Sequence, residues 1–441
     1  MRRMKGAAGL LTALLLAFQL SAQTFALANE DNGIKVVPVN FTHNGYSYEI
    51  EGVAKSTDGD YQMKSPARLA ARKLPSTYDP RSSGEITTVK DQASTGACWA
   101  FSALACAEQD LIKKGLENPS TEFSVPALVL SSNSGTATGK DDFSSGGNWL
   151  FAASALANGQ GLCYEDYEPF LESGTGNMIV SENKKSVSEY RLNYVMELSS
   201  TTQVKRKIME LGAVSASYFA GNGYMNHNNT AYYDPDASKN TIINHSVTVV
   251  GWDDNYSKDN FRYKPANNGA WLVKGSWGAD QDNDGFYWVS YDEAEFGQFC
   301  CYDFEESCDN TYHYSKMTGY VVNASNDGSV YGANVFTAKA DEKLDKAGFM
   351  YVGKTGSADY TLSVYTNVSD SDPIGVLETQ ISDSVSANGF YTVDFPEDIL
   401  LEEGEKYSIS VKFSGDSGRG YLPCRKRPNI KGAVRAKLCF S

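Results

Sequence analysis

The chain has 441 residues, of which 41% are hydrophobic and 12% aromatic, with 27 tyrosines. That aromatic load excludes a disordered chain and predicts a sizeable packed core, and the length allows two domains. A formal net charge of −15 removes any electrostatic case for binding nucleic acid or an anionic membrane surface.

In chain order, Arg2, Arg3 and Lys5 precede a mostly apolar stretch from Ala7 to Leu20, and Ala26-Leu27-Ala28 is a small-residue cleavage site. Residues 1–28 therefore read as a signal peptide. The apolar run is shorter than the roughly 20 residues a membrane span needs. The expected product is a secreted, extracellular or cell-surface chain without a membrane span, and losing three cations takes its net charge to −18. Residues 29–76 form a short mixed segment containing Val36-Val37-Pro38-Val39, read as a pro-segment or an N-terminal extension.

Gln92 and the run Cys98-Trp99-Ala100-Phe101-Ser102 carry the chemistry. Thr95-Gly96-Ala97 reads as a turn with a capping hydroxyl. Ala100, Leu104, Ala107 and Leu111 recur at helical spacing, and Lys113-Lys114-Gly115 is a helix stop. Cys98 thus sits at a helix N-terminus, where free amides and the helix dipole are expected to lower a thiol's pKa. Gln92 supplies a side-chain amide close by.

The segments Val89-Lys90-Asp91-Gln92 and Gly96-Ala97-Cys98-Trp99-Ala100-Phe101-Ser102 resemble the papain-like cysteine peptidases. The resemblance implies an α+β fold: a two-lobed catalytic domain, one lobe helical around Cys98 and one β-rich. It further implies a bridged cysteine where Thr95 stands, partnered in a Gly-Gly segment. The matching segment, Phe143-Ser144-Ser145-Gly146-Gly147-Asn148, also lacks a cysteine, so that disulfide is absent as a unit.

A thiolate needs a base, and the chain has four histidines: His43, His227, His245 and His313. His245 opens a β-branched run, His245-Ser246-Val247-Thr248-Val249-Val250-Gly251, that reads as a buried strand ending at the glycine. It lies 147 residues after Cys98, within the separation the family shows. His227 reads as a loop residue, and His43 and His313 are poorly placed. The family orients its histidine with an asparagine in an Asn-Ser-Trp-Gly motif. Here Gly275-Ser276-Trp277-Gly278 follows the strand Ala270-Trp271-Leu272-Val273-Lys274, so a glycine replaces the orienting amide. Three readings stand open: a water or backbone carbonyl orients His245, Ser276 or Asn244 substitutes, or the chain is a catalytically weak or inactive relative kept for binding. An active peptidase of reduced rate is the expectation, because nucleophile and base do the bond chemistry.

The resemblance assigns Cys98, His245 and Gln92 to catalysis. It assigns Gly146, Gly147, Asn244 and Trp277 to substrate binding, the glycines letting an extended polypeptide pair with the backbone. No cofactor is expected. Asp280-Gln281-Asp282-Asn283-Asp284-Gly285 has the pattern of a calcium loop, but Tyr291 stands where its glutamate belongs, so a solvated acidic turn is preferred to calcium on Asp280, Asp282 and Asp284. Of eight cysteines, removing Cys98 leaves seven, so at least one more stays free or intermolecular; Cys106 reads as a buried thiol and Cys424 with Cys439 as a candidate pair.

The catalytic domain is expected over residues 77–305. Beyond Cys308, Tyr360–Tyr365 and Tyr407–Phe413 alternate with period two, which predicts an all-β sandwich over residues 310–441. This layout is similar to that of bacterial secreted papain-like peptidases with a lectin-like C-terminal domain, and it implies a cell-wall or glycan ligand for that domain. Two rival functions remain, a cell-wall hydrolase using Cys and His and a binding protein with a vestigial site.

Overall fold

A computed structural model describes residues 35–43, 46–54, 73–133, 143, 146–157, 162–167, 169–170, 189–221, 223–237, 242–279, 284–308, 310–313, 320–322, 330–353, 356–414, 422–425 and 437–438. The signal-peptide reading, most of residues 29–76, the calcium-loop residues Asp280 and Asp282, and the Cys424–Cys439 side chains lie outside these.

Strands β1 (Lys35–His43) and β2 (Tyr46–Ala54) form a hairpin, and β3 (Thr77–Tyr78) follows. Helices α1 (Cys98–Lys113), α2 (Val125–Asn133) and α3 (Trp149–Ala157) come next, then β4 (Tyr190–Leu198) and α4 (Thr201–Leu211). Strands β5 (Val214–Tyr218), β6 (Ala231–Tyr232), β7 (Ile242–Ile243), β8 (His245–Asp253), β9 (Ala270–Lys274), β10 (Phe286–Ser290) and β11 (Gly297–Glu306) complete the first region. The second holds β12 (Tyr320–Val322), β13 (Val330–Thr337), β14 (Glu342–Tyr351), β15 (Ala358–Thr366) and β16 (Val376–Val385). It closes with β17 (Gly389–Leu401), β18 (Lys406–Ser414), β19 (Leu422–Arg425) and β20 (Lys437–Leu438). The architecture is an α+β unit followed by a β-rich one.

Ten strands form one sheet. Nine run in the order β14, β17, β4, β11, β5, β8, β9, β10, β6, and β3 pairs with β8. Helix α1 packs on this sheet against α2 and α3, with Ala100, Leu104, Phe123, Leu128, Ala152 and Val250 in the shared core. A second core, with Val204, Val214, Val249, Trp252 and Val273, lies between the sheet and α4. The run after His245 does not end at Gly251 as expected; β8 continues to Asp253. Gly251 instead marks a register shift against β9, and a Cβ there would lie 2.3 Å from the Tyr78 carbonyl oxygen. The glycine lets β3 cross close to β8.

Helix α1 is buried from Cys98 through Leu111, so its polar residues need partners inside the fold. Glu108 supplies the densest set. Its carboxylate accepts from Thr87 Oγ1 at 2.8 Å, Lys90 Nζ at 3.0 Å and the Phe123 amide at 3.1 Å, with Lys274 Nζ 4.0 Å away. Burial opposes its ionisation, yet Lys90 and Lys274 hold the carboxyl below its ordinary range. Burial brings the Lys274 ammonium down to about 8 against the pull of Glu108. Replacing Glu108 with glutamine removes the counter-charge and strands Lys274. We expect a loss of about 3–5 kcal/mol in urea unfolding; a loss below about 1 kcal/mol would show that the network does not hold the helix.

The second region has a sandwich core. Phe336, Phe349, Tyr351, Leu362, Val364, Tyr407, Val411 and Phe413 pack between β14–β17 and the four-stranded sheet β13, β18, β15, β16. Its separation from the catalytic unit is less complete than the sequence predicts. β17 adds to the catalytic sheet by pairing Gly389 with Met196, Phe390 with Val195 and Tyr391 with Tyr194. Asn388 reinforces the join: its carbonyl accepts from the Glu197 amide at 2.9 Å, and its Nδ2 donates to the Glu197 carboxylate at 2.9 Å.

Candidate active site

Cys98 is the first residue of α1 and is buried. The expected cap hydroxyl is not used: Ala97 is the N-cap, without a side-chain bond, and Thr95 Oγ1 donates to the Gln92 carbonyl at 2.7 Å. Thr95 thereby fixes the loop carrying Gln92. One turn along the helix, Ser102 Oγ donates to the Val247 carbonyl at 2.7 Å and lies 2.9 Å from Ser215 Oγ. These bonds tie α1 to β8 and β5, two residues past His245. The first turn of the helix is thereby held against the start of β8.

The Ser246 amide and hydroxyl and the Trp99 and Cys98 amides act on the Cys98 thiol in the direction that lowers its pKa. Ser246 directly follows His245, the candidate base. The expected depression of the thiol's pKa is not found. Burial pushes it up to about 11, and the four donors only moderate that rise. The desolvated helix N-terminus favours an anion less than the loss of water opposes it.

His245 is buried at the head of β8, opposite Tyr218 on β5. The Trp277 indole stacks on its imidazole, with centroids 4.2 Å apart and planes within 6°. Tyr218 approaches from another side, 5.9 Å away at 61°. Trp277 is carried by a loop that pairs with the Gln92 loop: Asp91 bridges Trp277, the Gln92 amide donates to the Ser276 carbonyl at 2.7 Å, and the Gly278 amide donates to the Lys90 carbonyl at 3.1 Å. Gln92 is itself buried; its Nε2 donates to the Thr95 carbonyl at 2.7 Å and its Oε1 accepts from Ser276 Oγ at 2.7 Å.

These bonds bear on the substitutes for the missing amide. Ser276 donates its hydroxyl proton to Gln92. Asn244 Oδ1 accepts from the Ala220 amide at 2.7 Å. Both side chains are engaged in holding neighbouring loops. At Gly275 itself the backbone donates to the Gly285 carbonyl at 3.1 Å. A Cβ there would lie 3.2 Å from the Gly285 oxygen and 3.4 Å from Tyr287 Cε1.

Gly146 and Gly147 enter α3, which Asn148 caps by accepting from the Leu150 amide at 2.9 Å. A Cβ at Gly147 would lie 2.5 Å from the Trp99 indole, so the glycine is required by packing as well as by any substrate. Among the described residues, Cys98, Cys106, Cys300, Cys301 and Cys308 are free thiols, and Cys106 is buried as expected. Sequence reasoning missed Ser246, Tyr218 and Tyr287. Only strand register brings the tyrosines to the site, and nothing in their local sequence signals it.

A profile described as papain family cysteine protease matches residues 74–330, more than half of the chain, and a lectin-like domain profile matches residues 311–432. The chain belongs to the papain family of cysteine proteases and carries a lectin-like domain. Cathepsin S of Bos taurus is 29% identical over 218 residues, which cover 49% of this chain and 60% of that protein. Cathepsin L2 of Homo sapiens is 26% identical over 224 residues, covering 50% and 62%. The chain thus spans about three fifths of the length of these relatives. Among solved structures, the clostridial cysteine protease Cwp84 after propeptide cleavage is 28% identical, with a TM-score of 0.68 over 82% of this chain and 90% of that one. The cysteine protease and lectin-like domains of Cwp84, a surface layer associated protein of Clostridium difficile, are 26% identical, with a TM-score of 0.69 over 86% and 84%.

Proposed function

We propose that this chain hydrolyses peptide bonds in extended polypeptides through Cys98 and His245. The observation that carries the reading is the junction of α1 and β8, where Ser102 donates to the Val247 carbonyl, Ser246 acts on the Cys98 thiol and the adjacent His245 lies under Trp277. Cys98 gives its proton to His245, and the thiolate attacks the peptide carbonyl carbon. The Cys98 amide and the Gln92 side-chain amide stabilise the oxyanion. His245 returns the proton to the leaving amine as the C–N bond breaks, leaving a thioester. Water then attacks with His245 as base, releasing the carboxylic acid and the thiol.

The signal-like segment 1–28 supports export, and the likeness to a surface layer associated protein supports a place at the cell surface. Among the described residues no helix is long and apolar enough to cross a membrane. The lectin-like region is the part proposed to hold a cell-wall or glycan ligand. Gly275 favours one second reading, a binding protein whose cysteine site is dormant.

An epoxide directed at papain-like thiols separates these readings. Labelling confined to Cys98, and absent in Cys98→Ala, is the expected result on protein lacking residues 1–28. Folded protein left unlabelled would sink the peptidase and leave the binding protein.

A further inference from the structure

The loss of the orienting amide at Gly275 coincides with two buried tyrosines that meet beneath the site. Tyr218 is on β5 and Tyr287 on β10, with β8 and β9 between them in the sheet. Their hydroxyls nevertheless lie 2.9 Å apart, so the two rings span the intervening strands on one face. Both are buried. Tyr287 faces Val273 across β9–β10 and therefore shares a face with residue 275, two positions further on. Its Cε1 would lie 3.4 Å from a Gly275 Cβ, at van der Waals contact, so the ring borders the space that a side chain at 275 would enter, with the Gly285 carbonyl oxygen on the other side at 3.2 Å.

The other end of the pair reaches the base. Tyr218 is the register partner of His245, and its ring meets the imidazole edgewise at 5.9 Å. Trp277 covers the imidazole face. Burial raises the Tyr287 hydroxyl above its ordinary range, and negative charge at Cys98 raises it further, so it remains a neutral hydroxyl near the nucleophile. Burial raises Tyr218 as well, with Tyr287 adding to the rise.

We propose that the Tyr218–Tyr287 hydroxyl pair positions His245 in place of the missing amide, with Gly275 providing the room for Tyr287. Tyr218 limits the swing of the imidazole, and Tyr287 locks Tyr218 while packing against position 275. Glycine at 275 and tyrosine at 287 then act as one arrangement. The inference rests on Cys98 and His245 being the working pair.

The test uses the full chain without residues 1–28 and reads three quantities: thermal midpoint, the rate of epoxide labelling at Cys98 against pH, and kcat and KM on an unstructured peptide. Tyr218→Phe and Tyr287→Phe keep the rings and remove the bond. Each is expected to fold, to keep KM, and to lose roughly tenfold to a hundredfold in kcat and in neutral-pH labelling. Gly275→Asn alone is expected to lose activity, because the amide meets Tyr287. Gly275→Asn with Tyr287→Val is expected to recover it, by making room for the amide. Wild-type labelling with both phenylalanine variants unchanged would overturn the inference alone, as would a gain from Gly275→Asn with Tyr287 in place. A wild-type chain that is folded but unlabelled would overturn the proposed function and this inference with it.

Discussion

With His245 replaced by alanine, Cys98 is expected to lose its reactivity at neutral pH and to regain it only as the pH climbs toward about 11. Burial sets that limit, and the amide and hydroxyl donors around the sulfur do not overcome it. In the proposed pair, a protonated His245 imidazole would supply what they lack, a full positive charge in a site shielded from water. The sign follows from the titration. Alkylation needs the thiolate, whose fraction rises tenfold per pH unit below its pKa. Without the imidazolium, labelling near pH 8 should fall about a thousandfold and then increase log-linearly with pH. With His245 present the rate should already be on a plateau near neutrality. Rates of iodoacetamide labelling between pH 6 and pH 11 decide it. An alanine variant that labels at the wild-type rate at pH 7 would show that the helix terminus alone activates the thiol.

Gly389→Val should have the largest structural effect of any single change at the join between the two regions. A Cβ at this position would lie 2.0 Å from the Val195 carbonyl oxygen and 3.1 Å from its carbon, and backbone cannot yield as a flexible side chain can. The strands must part, which breaks the β4–β17 pairing and the Glu197–Asn388 bonds together. We expect a loss of at least about 3 kcal/mol and a calorimetric transition that splits into two. Asn388→Ala, which removes side-chain bonds and leaves the backbone pairing, should cost about 1 kcal/mol and keep one transition. An unchanged single transition in the valine variant would mean that the sheet does not unite the regions.

The candidate site was legible because each of its parts carries a local signal. A cysteine before an apolar helical run, a glutamine six residues earlier and a histidine heading a β-branched run each carry their own signal. Register carries none. Period-two alternation places Leu362 and Val411 on buried faces, as found, but it cannot say that β17 will join β4 or that Tyr218 and Tyr287 will touch. The thiol's raised pKa was missed for a related reason. The sequence places Cys98 at a helix N-terminus but does not reveal how completely the β-rich lobe buries it. Gly251 and Gly147 looked like a strand end and a substrate platform. Both are positions where another part of the chain, the Tyr78 carbonyl or the Trp99 indole, leaves no room for a Cβ.

The strand shared between the regions also acts as a ruler. Two modules on a flexible linker sample many separations, and the effective concentration of one near the other's ligand depends on linker length. Here β17 runs from the sandwich core into the ten-stranded sheet as one continuous strand. A ligand gripped by the lectin-like region would therefore sit at one distance and one bearing from Cys98. Cleavage of anything attached to that ligand would fall at a fixed span from the point of attachment.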